Sequence, residues 1–371
     1  MSRPRVVVAG LGDTGVLSAI HLSRHADVVG ISAKPEMVSG QELGLRLTRP
    51  ADWAREYRVA FHRYRGLDRV RVLHGLVTGL DTVARRVHLT LADGSETVEP
   101  YDALVVATGV SNGFWRRPDL QSTDEVDAAL TRAHERLARA RSVVVVGGGA
   151  AAVGAATNLA TVWPGKQVDL YYPGERPLPR HHPRVWRRLE RRLVGLGVGL
   201  HPGHRAELPG GDVPADLAPG PVHWRTGQQP TSADVVLWAV GRVTPNTDWV
   251  PRELLDDGGF VRVGPDLRVP GADGVFAVGD VAATDPLRTS ARNAGHLVLA
   301  HNVRAYLRGG APRRYRPPRR RWGSVIGPQE DGLIVFAPDG RGYRVPAAVD
   351  RRVVRAGIVA WGIYRGIRRP S

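Results

Sequence analysis

Two stretches of this chain run valines straight into glycines and then into small, helix-forming residues, and together they leave few folds open. The downstream one, SVVVVGGGAAAVGAAT from Ser142 to Thr157, reads as a strand buried on both faces, a tight turn and a helix. Gly147, Gly149 and Ala152 fit G-x-G-x-x-G/A. The first serves the turn, the second lets backbone approach a pyrophosphate, and the third allows close packing of helix on strand. The helix N-terminus then offers unpaired N–H groups and the positive end of its dipole to phosphates. An upstream copy, RVVVAGLGDTG from Arg5 to Gly15, puts Gly10, Gly12 and Gly15 in the same roles. A single loop of this kind also occurs as a plain strand–helix connection. Two of them predict an α/β protein with two nucleotide-binding folds, and electron transfer between a flavin and a nicotinamide is the commonest reason to hold two nucleotides together.

The 371 residues suffice for two domains and an extension. No run has the apolar length of a membrane-spanning helix, and the N-terminus enters a strand within a few residues, so a cytoplasmic protein is expected. There is no cysteine, which excludes a redox-active disulfide, Cys-ligated zinc and iron–sulfur clusters. The thirteen histidines show no metal spacing such as H-E-x-x-H, so no metal is expected. The net charge of +16 rests almost wholly on arginine, because Lys34 and Lys166 are the only lysines. Arginine throughout fits a GC-rich coding sequence as well as it fits an anionic partner.

Taken in order, the first glycine turn leads to a helix from Val16 to Arg24 and a strand from Asp27 to Ile31. An acidic residue normally holds a ribose hydroxyl about twenty positions past the glycines. Here the strand ends in Ser32, Ala33 and Lys34. Ser32 can make a weaker bond or Glu36 can reach back, and Asp13 inside the turn reads as an N-cap pointing away from the phosphates. Residues 37–68 read as short helices lining a cleft. Strands follow at Val70 to Leu73, Gly75 to Leu80, Arg86 to Leu91 and Glu96 to Val98, with Asp93-Gly94 as a hairpin turn. YDALVVATG at 101–109 is a further buried strand, and a helix is expected from Asp124 to Ala140. The second fold continues with a strand from Gln167 to Tyr172. Tyr172 commits to neither NAD nor NADP, with Glu175 and Arg176 close behind. Residues 209–221 read as a loop, 234–240 and 274–280 as strands, and a helix is expected from about Thr289 to Leu307.

The two glycine loops, VVATG at 105–109, GRVTPNT at 241–247 and VFAVGD at 275–280, in that order, resemble the flavoproteins with two dinucleotide-binding domains. Among these the chain is most similar to the branch holding type II NADH:quinone dehydrogenases and apoptosis-inducing-factor-like reductases. The resemblance implies an FAD domain formed by 1–115 and 246–311, an inserted NAD(P)H domain at 116–245, and a C-terminal extension at 312–371. It implies that Gly10, Gly12 and Gly15 cradle the FAD pyrophosphate, that Val77 meets the adenine, that Thr108 and Gly109 close over the cofactor, and that Asp280, after Gly279, accepts a bond from the ribitol. Ser32 and Lys34 then face the FAD ribose. Gly147, Gly149, Ala152, Tyr172 and Gly241 fall to NAD(P)H. Relatives commonly carry Gly-Val-Glu where this chain has Ala152-Val153-Gly154, and that glutamate often lies near the nicotinamide. On the helix under the flavin, Arg292 and His296 are the candidate catalytic residues.

The activity so implied is hydride transfer from NAD(P)H to FAD, then electron transfer to a quinone or another small acceptor. The alternatives are a reductase of a small redox protein such as a ferredoxin, or a sensing or nucleic-acid-binding flavoprotein. Its best support is the run from Arg313 to Arg321, for which codon bias is the preferred reading. The tail from Ala348 to Arg369 sets Val353, Val354, Ile358, Trp361 and Ile363 among arginines. That pattern fits a helix lying on an anionic membrane surface, at the inner face of the cell membrane, and it fits equally a helix packed on the flavin domain. A homodimer stays open.

Overall fold

The computed structural model describes residues 3–369, apart from 114–115, 212, 215, 285–293 and 318–321. Its larger sheet is centred on Arg5–Ala9, where Val6, Val7 and Val8 are wholly buried, as a strand covered on both faces requires. Asp27–Ser32 lies parallel on one side and Ala103–Val106 on the other, with Val7 opposite Val29 and Leu104. Val70–Asp81 continues the sheet beyond Asp27–Ser32. It forms one strand where the sequence suggests two, because His74 between them stays in the ladder opposite Ser32; a register shift follows between Val77 and Gly79. Arg86–Leu91 and Glu96–Pro100 complete an antiparallel edge, joined through Gly94 at φ +84°.

The opposite edge shows how the chain is threaded. Val275–Ala277 lies parallel beside Ala103–Val106, so the polypeptide leaves this sheet after Val106 and returns to it far downstream. Between the two visits it builds a second sheet in the order Gly199–His201, Gln167–Tyr171, Ser142–Val146, Thr231–Trp238, Ala218–Val222. The first four strands are parallel and the last is antiparallel. Ala218–Val222 carries Pro219 and Pro221 and was expected to be loop; at a sheet edge a missing N–H costs no ladder bond. Helix Thr123–Arg139 enters this part of the chain behind a capping box, in which Ser122 Oγ accepts from Glu125 N and Glu125 returns the bond to Ser122 N.

The remaining chain ties the two sheets together. Leu43 and Leu47 of helix Leu43–Thr48 share a core with Val153, Ala156 and Leu159 of helix Ala150–Val162 and with Val325 and Ile326 of the C-terminal extension. The extension then forms a three-stranded antiparallel sheet, Pro328–Gln329, Gly332–Phe336 and Gly342–Val345. Its last helix, Asp350–Ile363, is wound as a π-helix. Asp350, Val354, Arg355, Val359 and Ile363 are turned inward at intervals of four or five residues, while Val349, Val353, Ile358 and Trp361 stay exposed. One face of this helix packs on the protein, as the second reading of the tail expects, and the other is exposed. No helix among the described residues is long and apolar enough to cross a membrane.

Candidate functional site: two glycine cradles

The first cradle is closed on its protein side and open on the other. Gly10 sits at φ +97°, and a Cβ there would lie 2.6 Å from Ala107 O. A Cβ on Gly15 would lie 1.8 Å from Gly10 O, so helix and turn touch backbone to backbone. Gly12 is the N-cap of helix Asp13–Leu22, and a Cβ on it would meet nothing within 4 Å. Gly109 is equally open, at φ +69°. This bare backbone beside a helix N-terminus suits an anionic group such as the FAD pyrophosphate. A cleft of about 1300 Å³ runs from it. Ser32, Val77, Thr108, Gly279 and Asp280 all line that cleft.

One assignment changes and two gain detail. Asp13 is the first residue of its helix, not the cap. Its buried carboxylate accepts from Ser39 Oγ at 2.8 Å, Gln41 Nε2 at 3.2 Å and Tyr364 OH at 3.2 Å. Lys34 lines the cleft and also donates to the carbonyls of Arg117, at 2.9 Å, and Asp119, at 3.3 Å, and so clamps the linker. Burial and the nearby Arg46 draw its pKa down to about 8, against the opposing pull of Asp119. Glu36 lines the cleft as well, paired with Arg58, which also binds Asp127.

The chain crosses between the sheets at a short antiparallel pair, Val110–Ser111 with Thr244–Pro245. Thr108 Oγ1 donates to Asn246 O at 2.8 Å and Asn246 Nδ2 donates to Thr108 O at 3.0 Å, so VVATG and GRVTPNT are stitched to each other. Asp280 accepts from Arg116 Nη1 at 3.0 Å. The guanidinium of Arg116 lies flat on Gly40, where a Cβ would be 1.9 Å from Nε.

The second cradle repeats the first with one relaxation. Gly147, at φ +147°, has no room for a Cβ, which would lie 2.1 Å from Ala239 O. Gly149 caps helix Ala150–Val162 and is open. At the third position Ala152 fits, fully buried. Gly149 opens on a cleft of about 1430 Å³, which Gly241 also lines. Gly40 and Arg116 line both clefts, so the two meet there. Tyr172 is a correction: its ring is 3% exposed and packs edge-on against Trp186 at 6.1 Å, so it lines no cleft. An aromatic ring at the inward end of a buried strand goes to the core, and the following Pro173, Gly174 and Arg176 face the cleft instead.

Sequence reasoning missed the covering of the second helix. A Cβ on Gly154 would lie 2.8 Å from Val325 O, and Asn158 Nδ2 donates to Ile326 O at 3.0 Å. Gln329 Nε2 donates to the same carbonyl at 2.9 Å and to Asn158 Oδ1 at 3.3 Å. A strap of extension backbone thus crosses the helix at Gly154, and only glycine lets it pass. The one sequence signal was the glycine itself.

Of the candidate catalytic residues, Arg292 lies outside the described residues, as does the expected helix start at Thr289; the helix is described as Gly295–Arg308. His296 lines neither cleft. It is 8% exposed, with its ring 5.4 Å from that of His21, and Arg365 Nη2 stands 3.4 Å from His21 Nδ1. Burial first, then Arg365, holds both imidazoles at a pKa of about 4, so they are neutral packing groups near pH 7. No cluster of metal-ligating side chains occurs among the described residues.

Known proteins share this arrangement. The family described as pyridine nucleotide-disulphide oxidoreductase matches residues 4–302. An oxidoreductase of Pestalotiopsis fici, ptaL, is 29% identical over 69% of this chain and 68% of its own length. The type II NADH:quinone oxidoreductase Ndh of Mycobacterium tuberculosis is 27% identical over 85% of this chain and 75% of its own length. Among solved structures, a pyridine nucleotide-disulfide family oxidoreductase from Enterococcus faecalis V583 superposes with a TM-score of 0.65 at 18% identity, covering 90% of this chain and 74% of that one.

Proposed function

This chain belongs to the pyridine nucleotide-disulphide oxidoreductase family, and we propose that it is an FAD-dependent NAD(P)H oxidoreductase that passes electrons to a quinone. FAD and NAD(P)H are the cofactors of that family. The observation that carries the reading is the pair of open glycine cradles whose clefts share Gly40 and Arg116. When bound, FAD supplies the two-electron chemistry, taking hydride from NAD(P)H. With no cysteine in the chain, electrons leave without a protein dithiol.

The residues divide the work by position. Residues 1–115 and 246–311 hold FAD: Gly10, Gly12 and Gly15 seat its pyrophosphate, Val77 and Ser32 its adenosine end, and Asp280 a ribitol hydroxyl. Residues 116–245 hold the nicotinamide dinucleotide on Gly147, Gly149 and Ala152. The Thr108–Asn246 stitch fixes the angle at which the two cradles face each other, which is the protein's main contribution to a hydride transfer.

A quinone acceptor is supported by the likeness to the mycobacterial NADH:quinone oxidoreductase and by the last helix. Val349, Val353, Ile358 and Trp361 form an exposed stripe beside the exposed Arg351 and Arg352, the pattern of a helix resting on an anionic bilayer. The test is NAD(P)H oxidation with a short-chain quinone, alongside flotation with vesicles containing anionic lipid. Quinone turnover, and flotation that Ile358→Asp abolishes, are expected. Turnover with a small redox protein and none with quinones would overturn the acceptor assignment.

A further inference from the structure

The second cradle has an outer end that the family likeness leaves unspecified. A dinucleotide seated on a glycine loop lays its adenosine ribose over the end of the next parallel strand, where a carboxylate selects NAD and arginine accommodates the extra phosphate of NADP. Here that strand ends at Tyr171, and the side chain of Tyr172 is buried against Trp186. No carboxylate stands at the strand end. The next acid, Glu175, is exposed and does not line the cleft.

What does line it is basic. Backbone from Pro173 onward folds back over the glycine loop, with Leu178 N donating to Gly148 O at 2.7 Å. That fold brings Arg176 and Arg180 into the wall of the cleft that contains Gly149. Arg176 Nη1 donates to Leu178 O at 3.1 Å, which holds the guanidinium beside the loop. The neighbouring strand, Gly199–His201, runs parallel to Gln167–Tyr171 and delivers Arg205 to the same wall. Three arginines that follow two adjacent strand ends therefore line the cleft that contains Gly149.

We propose that the second cradle is built for NADPH, with the 2'-phosphate received by Arg176, Arg180 and Arg205. This rests on the oxidoreductase reading above and names its electron donor. A phosphate matches a guanidinium in two parallel charge-assisted bonds, whereas a bare 2'-hydroxyl brings no charge to the basic wall.

The test uses the FAD-bound protein and two fragments, adenosine 2',5'-bisphosphate and adenosine 5'-monophosphate, titrated by calorimetry. The bisphosphate is expected to bind at least about tenfold more tightly, the minimum for one added charge-assisted bond, and the margin is expected to shrink as salt rises. Arg205→Gln and Arg176→Gln should each reduce that margin severalfold while leaving binding of the monophosphate and the FAD content unchanged. The Arg205 side chain is exposed, so its variant is expected to fold. Equal binding of the two fragments, or tighter binding of the monophosphate, would overturn the NADPH assignment and leave the oxidoreductase reading standing. Binding of neither would overturn both.

Discussion

The two glycine-loop helices do the same job on the same plan, yet they are sealed from behind by different chemistry. Helix Asp13–Leu22 is closed by ionisable groups: Asp13 takes bonds from Ser39, Gln41 and Tyr364, and His21 packs on His296 beneath Arg365. Helix Ala150–Val162 is closed by neutral amides and backbone, through Asn158, Gln329 and the strap at Val325 and Ile326. Both seals come partly from the C-terminal extension, through Tyr364 and Arg365 in one case and 325–329 in the other. The extension is therefore a clasp joining the two nucleotide-binding parts. One arm closes over the titrating pair His21 and His296, and the other over neutral groups.

The sharpest break in the symmetry is the third loop position. Gly15→Ala places a methyl 1.8 Å from Gly10 O and is expected to cost about 3 kcal/mol, the upper end for overpacking. It should also strip FAD, as the absorbance of the purified protein will report. Next in size is Gly154→Glu, which must lift the strap off Val325 O. We expect about 1–3 kcal/mol of destabilisation and faster proteolysis near 322–329, with FAD retained; unchanged protease resistance would mean that the strap does not lie on the helix.

The titrating arm predicts a pH effect of the following sign. His21 and His296 have folded-state pKa values of about 4, below their ordinary 6.5, through burial and then Arg365. The unfolded chain therefore binds more protons than the native state between those values. Their contribution to stability is complete above pH 6.5 and is lost as pH falls towards 4. Thermal unfolding of His296→Leu should show a shallower loss over that window than the native chain. Smaller still, Tyr364→Phe removes one bond to Asp13 and should cost about 1 kcal/mol, measurable by denaturant unfolding. Ala152→Gly removes a methyl that the second loop accommodates. It should cost no more than about 1 kcal/mol and leave nucleotide binding intact, in contrast to Gly15.

Much of this was legible in the sequence because local rules sufficed. The valine runs, the glycines at 10, 12, 15, 147 and 149, and the strand-end motifs each encode geometry within a few residues. Side-chain destinations did not follow from the same rules. Tyr172 occupies a strand end where motif logic expects a ribose contact, but an inward-facing ring had core to fill. His296 sits on the expected helix, yet its side is turned to His21. Lys34 found carbonyl oxygens on the linker at 117–119, which only the folded chain brings near. Asp13 is held by residues from two separate segments, Ser39 and Gln41 in one and Tyr364 in the other. The strap over Gly154 is the extreme case, since Gly154 and Val325 lie far apart in the chain, with the returning strand Val275–Ala277 between them.

The most direct test of the whole account is anaerobic mixing of the FAD-bound protein with NADPH or NADH while the oxidised-flavin absorbance is followed. Two cradles that meet at Gly40 and Arg116 predict bleaching of bound FAD, faster with NADPH. FAD that stays oxidised with both nucleotides, although both bind, would contradict it.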